Sequence, residues 1–214
     1  MPLKRIAARV RVSVSTVHRW TRDIELTEAQ RQRNLTGPTR PRSRETIAKF
    51  VQTWSEKNRE RRRTYQREGR ARARRGDPLH EAGCMLYWAE GSKHRNSLIF
   101  ANSDVAMVRF FARFVRECFE VDDDHLTVRL NVYTNNGLGV CEIEDHWLDA
   151  LELPRSCLRK HSLNHKPTSS SGKKGNKLPY GVCTVRVRRS TRIVQHIFGA
   201  IQEYGEFEEP RWLD

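Results

Sequence analysis

Gly83-Cys84-Met85-Leu86-Tyr87-Trp88-Ala89-Glu90-Gly91 is a short apolar run that stops at one acid and a glycine. Ala, Cys, Met, Leu and aromatic residues in unbroken sequence suit a buried helix, and His80 onward is expected to be helical. Glu90 then falls at the helix C-terminus, where the macrodipole disfavours a carboxylate. Gly91 is expected to take the left-handed conformation that closes a helix. An acid held at an unfavourable helix end is expected to meet a positive charge, and a divalent metal is a natural candidate.

Downstream of this run, residues 92–96 read as a polar loop with Lys93, His94 and Arg95. Residues 97–103 read as a strand. Asp104 then caps a helix whose inner face is Val108, Phe111, Phe114, Val115 and Phe119. Residues 125–134 alternate, with Leu126, Val128, Leu130 and Val132 on one side and Thr127, Arg129, Asn131 and Tyr133 on the other. That is a strand with one face on a core and one polar face. Asn135-Asn136-Gly137 is a turn. Residues 142–151 form a helix with Ile143, Trp147, Leu148 and Leu151 inward. Residues 158–164 and 182–188 are expected to pair as strands, joined by a basic, glycine- and serine-containing loop at 167–177. Residues 191–204 form the last helix, and the acidic tail 206–209 is expected at the surface. The reading is α+β, with helices on one face of a curved antiparallel sheet across residues 80–214. The other sheet face presents Arg129, Asn131, Tyr133, Thr184, Arg186 and Arg188.

Upstream, the charge changes character. The chain of 214 residues carries a net charge of +14. Residues 1–76 hold 22 Lys and Arg against 7 Asp and Glu, while the remainder hold 18 against 19. The whole excess lies in the N-terminal third, and a near-neutral domain with a strongly basic extension points to a polyanion partner. The plainer alternative is a solvated, solubilising face.

Leu3, Ile6, Ala7 and Val10 recur at helical spacing. After the break Arg11-Val12-Ser13, Ser13 is positioned to cap a second helix over 14–21. Val17 and Trp20 are expected inward; Ser15, Thr16, His18 and Arg19 are expected outward, toward a major groove. Thr27 is an N-cap candidate for a short helix to Leu35. Residues 1–36 make this unit; a linker and basic arm occupy 37–79, broken at Gly37-Pro38 and Pro41. In the arm, Ile47, Phe50, Val51 and Trp54 form an apolar stripe capped by Ser43. Arg59, Arg61, Arg62, Arg63, Arg67, Arg70 and Arg72 then crowd in against few acids. Their mutual repulsion predicts a segment poorly ordered by itself. Lying along a phosphate backbone would relieve that repulsion and release counterions, adding affinity rather than specificity.

Residues 83–91 look like the signature helix of the LAGLIDADG homing endonucleases, with Ala89-Glu90-Gly91 over the family's closing Ala-Asp-Gly. Residues 97–104 (SLIFANSD), 105–119, 142–151 (EIEDHWLDAL) and 180–188 (YGVCTVRVR) resemble the small LAGLIDADG-like proteins of bacteria and archaea. Residues 6–17 resemble the helix-turn-helix of bacterial resolvases and regulators. Arg11 stands where that motif usually has Gly. The chain also starts within what would be the second helix of the three-helix unit, so residues 26–35 would have to cover an apolar face unless sequence lies upstream. The LAGLIDADG resemblance implies a sheet saddle gripping a duplex. It also implies Mg²⁺ held by Glu90 and Gly91 and a homodimer supplying one Glu90 per chain, since only one motif copy is present. Trp88, where the family often has a second acid, and Met85, where it usually has a small residue, depart from the pattern. The sporulation regulators of Gram-positive bacteria resemble the same pair of modules in the opposite order, in a non-cutting role.

The expected function is therefore double-stranded DNA binding, sequence-specific, in a transcriptional regulator. Lys93 joins the residues named above at the interface. The alternative is a Mg²⁺-dependent homing-type endonuclease with Glu90 as catalytic acid and metal ligand. No apolar stretch of transmembrane length and no signal peptide occur, which predicts a cytoplasmic protein with no membrane partner. Five cysteines without a Cys-x-x-Cys pair predict reduced thiols in the core. Cys157, His161 and His165 have helical spacing for zinc, but the segment reads as a strand.

Overall fold

The computed structural model describes residues 3–36, 44–134, 137–164 and 178–214, with the side chains of 34–36 and 44 left aside. The chain divides into two compact units, Met1–Thr53 and Trp54–Asp214. The linker at 37–43, the Ser43 cap, Asn135-Asn136, His165 and the basic loop lie outside the described residues.

In the first unit, α1 (Leu3–Val10) and α2 (Val14–Trp20) meet at a tight turn. Arg11 adopts φ 54, as its place in the turn requires, and Val12 N–H donates to Ala7 O at 3.1 Å. A non-glycine residue held there costs about 1 kcal/mol. Ser13 caps α2 by accepting from Thr16 N–H at 3.1 Å. Ala7 and Val17 are buried, but Trp20, expected inward, is 61 % exposed. The helix α3 (Glu28–Thr36) is capped by reciprocal Thr27–Gln30 bonds. Its side chains from Glu28 to Arg33 are all exposed, so these residues do not supply the cover for α1 and α2 that was one of the two alternatives read from the sequence. The mean hydropathy of α3 is too low for burial: it lacks an apolar stripe.

The second unit is α+β. It contains the later part of α4 (Arg44–Ala73), then α5 (Pro78–Glu90), β1 (Leu98–Asn102), α6 (Val105–Phe119) and β2 (Leu126–Val132). α7 (Val140–Leu151), β3 (Ser162–Leu163), β4 (Val182–Val187) and α8 (Thr191–Tyr204) complete it. The sheet order is β1-β4-β2-β3. Two expectations are corrected here. The partner of residues 182–188 is not 158–164: β4 lies antiparallel between β1 and β2, while β3 pairs with the far edge of β2. That last pairing is parallel, so the sheet is mixed rather than antiparallel. A long connection does not fix a strand's position; burial does. Cys183, Val185 and Val187 are buried along one face, a load suited to the sheet centre.

Leu98, Phe100, Leu126, Val128, Leu130 and Val132 join that face against the helices. Phe111 of α6 stacks on Phe100 with centroids 4.7 Å apart. Trp147 of α7 is fully buried and donates its indole N–H to Tyr180 O at 2.9 Å. Asp104 caps α6 as expected, accepting from Ala106 and Met107 N–H. Among the cysteines, 84, 118, 157 and 183 are buried and unbridged, while Cys141 is exposed. Burial pushes the Cys183 thiol up to about 12.

The basic arm does not stand apart from this core. Along α4, Gly69 and Gly199 let the backbones of α4 and α8 touch. A Cβ at Gly69 would lie 1.9 Å from His196 O, and one at Gly199 would lie 2.1 Å from Gln66 O. The buried Gln66 joins Gln195 at 2.8 Å and Gln202 at 3.3 Å. The C-terminal tail also folds back, with Trp212 stacked on Phe198 at 4.5 Å, while Glu206 and Glu208 lie at the surface as expected. Among the described residues no helix is long and apolar enough to cross a membrane.

Candidate nucleic-acid interface

With α5, α6 and α8 packed on the strands at the buried face, the opposite face of the sheet carries the alternate residues of β2 and β4. The register sets Thr127 beside Arg186, Arg129 beside Thr184 and Asn131 beside Val182. Arg129, Asn131, Arg186 and Arg188 are exposed there. Arg129 donates to Ser162 Oγ at 2.6 Å and Arg186 to Ser97 Oγ at 3.3 Å. Arg188 reaches Asp124 O at 3.5 Å. Among the described residues none of these arginines is paired with a carboxylate, so their charge is available to an anion. Tyr133, expected on this face, follows the end of β2, is half-buried and already has a partner.

A cleft of about 560 Å³ at one end of the face gathers Arg159, Arg186, Arg188 and Arg189. Arg189 follows β4 in the left-handed conformation, φ 52. The sequence reading omitted Arg159 and Arg189. The run Arg186-x-Arg188-Arg189 hints at the latter. Nothing local marks Arg159, which the chain brings in when its N–H bonds Val128 O at 2.9 Å.

The arginines of α4 are mostly engaged otherwise, which corrects the picture of a free polycation. Arg63 and Arg67 meet Glu60 at 3.1 and 3.2 Å, and Arg63 first, then Arg67, hold the Glu60 carboxyl below its ordinary value. Arg59 meets Asp214 at 3.1 Å and Arg70 meets Glu208 at 2.7 Å. Arg72 bonds Asp77 at 3.1 Å and Cys118 O, and lies over the Phe119 ring. Arg62 is 8 % exposed and donates to Leu213 O at 2.7 Å. Acids of the folded-back tail, of α4 itself and of the turn after it thus engage most of these arginines. Arg61 stays exposed and unpaired among the described residues.

In the first unit, Ser15, His18 and Arg19 are exposed on α2, at the spacing of one helix face. Two of the expected hydroxyls are engaged in the cap: Thr16 Oγ1 lies 2.7 Å and Ser15 Oγ 2.8 Å from Ser13 Oγ.

Glu90 ends α5 and is exposed, with Asn102 Nδ2 at 3.4 Å. Lys93 was expected to face DNA. Instead its ammonium donates to Trp88 O at 2.6 Å, Gly91 O at 2.9 Å and Tyr87 O at 3.3 Å, closing the helix end. Burial holds the Lys93 amine below its usual value, partly opposed by Glu90. A cation on the C-terminal carbonyls contributes roughly 0.3–1 kcal/mol and answers the dipole that Glu90 opposes. Gly91 is extended at φ −75, not left-handed. It is glycine because a Cβ would meet the Tyr87 ring at 2.3 Å. For a divalent ion, Gly91 O is already engaged by Lys93. Among the described residues no group of three or more His, Cys, Asp or Glu side chains is placed to hold a metal. One chain's donors do not fit Mg²⁺ as they stand. The zinc alternative also fails locally: His161 accepts from Leu130 N–H at Nδ1 and meets Glu144 at Nε2, while Cys157 faces Asp123 O.

No protein-family model, no curated protein and no solved structure matches this chain.

Proposed function

We propose that this protein binds double-stranded DNA in a sequence-specific way, as a transcriptional regulator does, and does not cut it. The observation that carries the reading is the exposed face of β2 and β4, with Arg129, Asn131, Arg186 and Arg188 free of carboxylate partners among the described residues. A sheet face with unpaired guanidinium groups suits the phosphate backbone, and Asn131 adds an amide able to read a base edge. Ser15, His18 and Arg19 of α2 supply a second reading surface, and the resemblance of residues 80–205 to LAGLIDADG-like proteins supports the same assignment. The test is fluorescence anisotropy with labelled duplexes over a salt series. Binding whose logarithm falls steeply with the logarithm of salt, and which discriminates among selected sequences, is the expected outcome. Affinity insensitive to salt would overturn it.

The endonuclease reading needs a homodimer bringing two Glu90 residues together and Lys93 withdrawn from Gly91 O. Incubation with a supercoiled plasmid library and Mg²⁺ separates the two: discrete metal-dependent ends, lost in Glu90→Gln, would replace the proposal by cleavage.

A further inference from the structure

A second cleft, of about 380 Å³, opens beside the one that holds the sheet arginines and shares Asn96 with it. Its lining combines Asn58, Arg61 and Arg62 of α4 with Arg95 of the loop after α5 and Thr191 at the start of α8. Three features make it more than a gap. Asn58 Nδ2 is shielded from solvent and has no hydrogen-bond partner, a state that buried amide donors rarely keep. Arg61 and Arg95 have no carboxylate partner among the described residues, and Asp214, the nearby acid, is taken by Arg59 at 3.1 Å. Arg62 lies close enough to Arg95 for the two charges to oppose each other.

The first turn of α8 adds to the same positive field. Ser190 does not cap it, because its hydroxyl accepts from Leu98 N–H and donates to Val187 O, each at 2.8 Å. Trp54, 63 % exposed, stands at the rim and offers an aromatic surface. Like charges gathered around an unsatisfied donor are the arrangement an anion relieves.

We infer that this cleft is a phosphate-binding site, taking a phosphate group of the nucleic-acid backbone as it passes from the sheet face toward α4. The inference rests on the DNA-binding reading for the source of the phosphate, not for the site itself. It gives α4 a defined point of engagement in place of a diffuse polycation.

The experiment uses the full chain, duplex DNA in anisotropy and inorganic phosphate in ¹H–¹⁵N NMR. Asn58→Asp sets a carboxylate beside Arg61 and Arg62 and is expected to weaken duplex binding about tenfold. Arg95→Gln is expected to lower the log–log salt slope by about 0.9, the value of one phosphate contact. Arg63→Gln, already paired with Glu60, is expected to change neither. Circular dichroism melts exclude misfolding, and Arg95 lies in a loop, so the two variants test the cleft independently. Wild-type binding with both variants unchanged overturns the cleft and leaves the DNA reading standing. No duplex binding, together with a shift of the Asn58 side-chain amide resonance in millimolar phosphate, keeps the site and overturns the DNA reading. No duplex binding and no such shift overturn both.

Discussion

On the helical side of the second unit, Arg70 meets Glu208 at 2.7 Å and Arg74 meets Glu203 at 2.6 Å. On the open side, Arg129 and Arg186 find only serine hydroxyls. Both regions are arginine-rich in sequence, and α4 is much the richer. The difference lies in what folds against them. α8 and the tail bring Glu203, Glu208 and Asp214 to α4, whereas among the described residues no carboxylate pairs with Arg129 or Arg186. A dense run of arginine in sequence therefore says less about an anion partner than a few arginines left alone by the tertiary structure. The dense run here is taken up by α4's own Glu60, by the tail, by Asp77 and by α8.

The largest effect that would break this comparison is steric. Gly199→Ala sets a methyl 2.1 Å from Gln66 O, and Gly69→Ala one 1.9 Å from His196 O. Each is expected to force α4 and α8 apart and to cost about 3 kcal/mol, read as a lower urea midpoint. Midpoints within error of the parent would mean that α4 is not packed as described, and its arginines would again be candidates for the interface.

Acid should act on the helical side next. His80 is fully buried, with Nδ1 2.9 Å from Tyr204 Oη and Nε2 3.0 Å from His196 Nε2. Burial first, then Arg72, lowers His80 to about 4; burial, then His80 itself and Arg72, lowers His196 to about 3. The neutral rings favour the folded state. Stability is full above the unfolded histidine value of about 6.5 and falls as pH drops toward 4, because the unfolded chain binds the protons. The expected slope is about 1.4 kcal/mol per pH unit for each histidine. Urea midpoints between pH 7 and 5 check it, and His196→Phe should flatten the profile. A midpoint independent of pH would refute the buried pair.

On the open side, the double substitution Arg129→Gln with Arg186→Gln is expected to lower the salt slope of duplex binding by about 2. Stability should move by no more than about 0.5 kcal/mol. Arg67→Gln, on the paired side, should leave that slope unchanged; a loss equal to that of the sheet variants would erase the distinction between the two regions. The smallest effect expected is that of Glu90→Gln, which should leave duplex affinity as it is, since Glu90 ends α5 beside Asn102 and Lys93 and is not among the sheet arginines that carry the binding reading.

Alternation along residues 125–134 was sufficient to place Leu126, Val128, Leu130 and Val132 in the core and Arg129 and Asn131 outside, because a period of two admits one solution once a face is buried. The caps at Ser13, Thr27 and Asp104 were equally legible, since each acts within three residues of itself. Trp20 was not: a heptad-like position says which way a side chain would point, and only a covering helix decides whether it is buried. Lys93 was misread for a related reason. A lysine after a helix can face solvent, a ligand or the carbonyls behind it, and the extended Gly91 turns it back onto them.

Composition and periodicity by themselves thus determined the α+β class, the helices of the core and the polar identity of the open sheet face. Those properties follow from local backbone preference and from which residues can leave water. The central position of β4, the parallel β3 edge, the glycine crossing of α4 and α8, and the pairing of each arginine were decided only by the tertiary structure. They depend on residues distant in sequence meeting in space, from 31 positions for Asn131 and Ser162 to 155 for Arg59 and Asp214, and the charge of an arginine is silent about which acid, if any, will stand beside it.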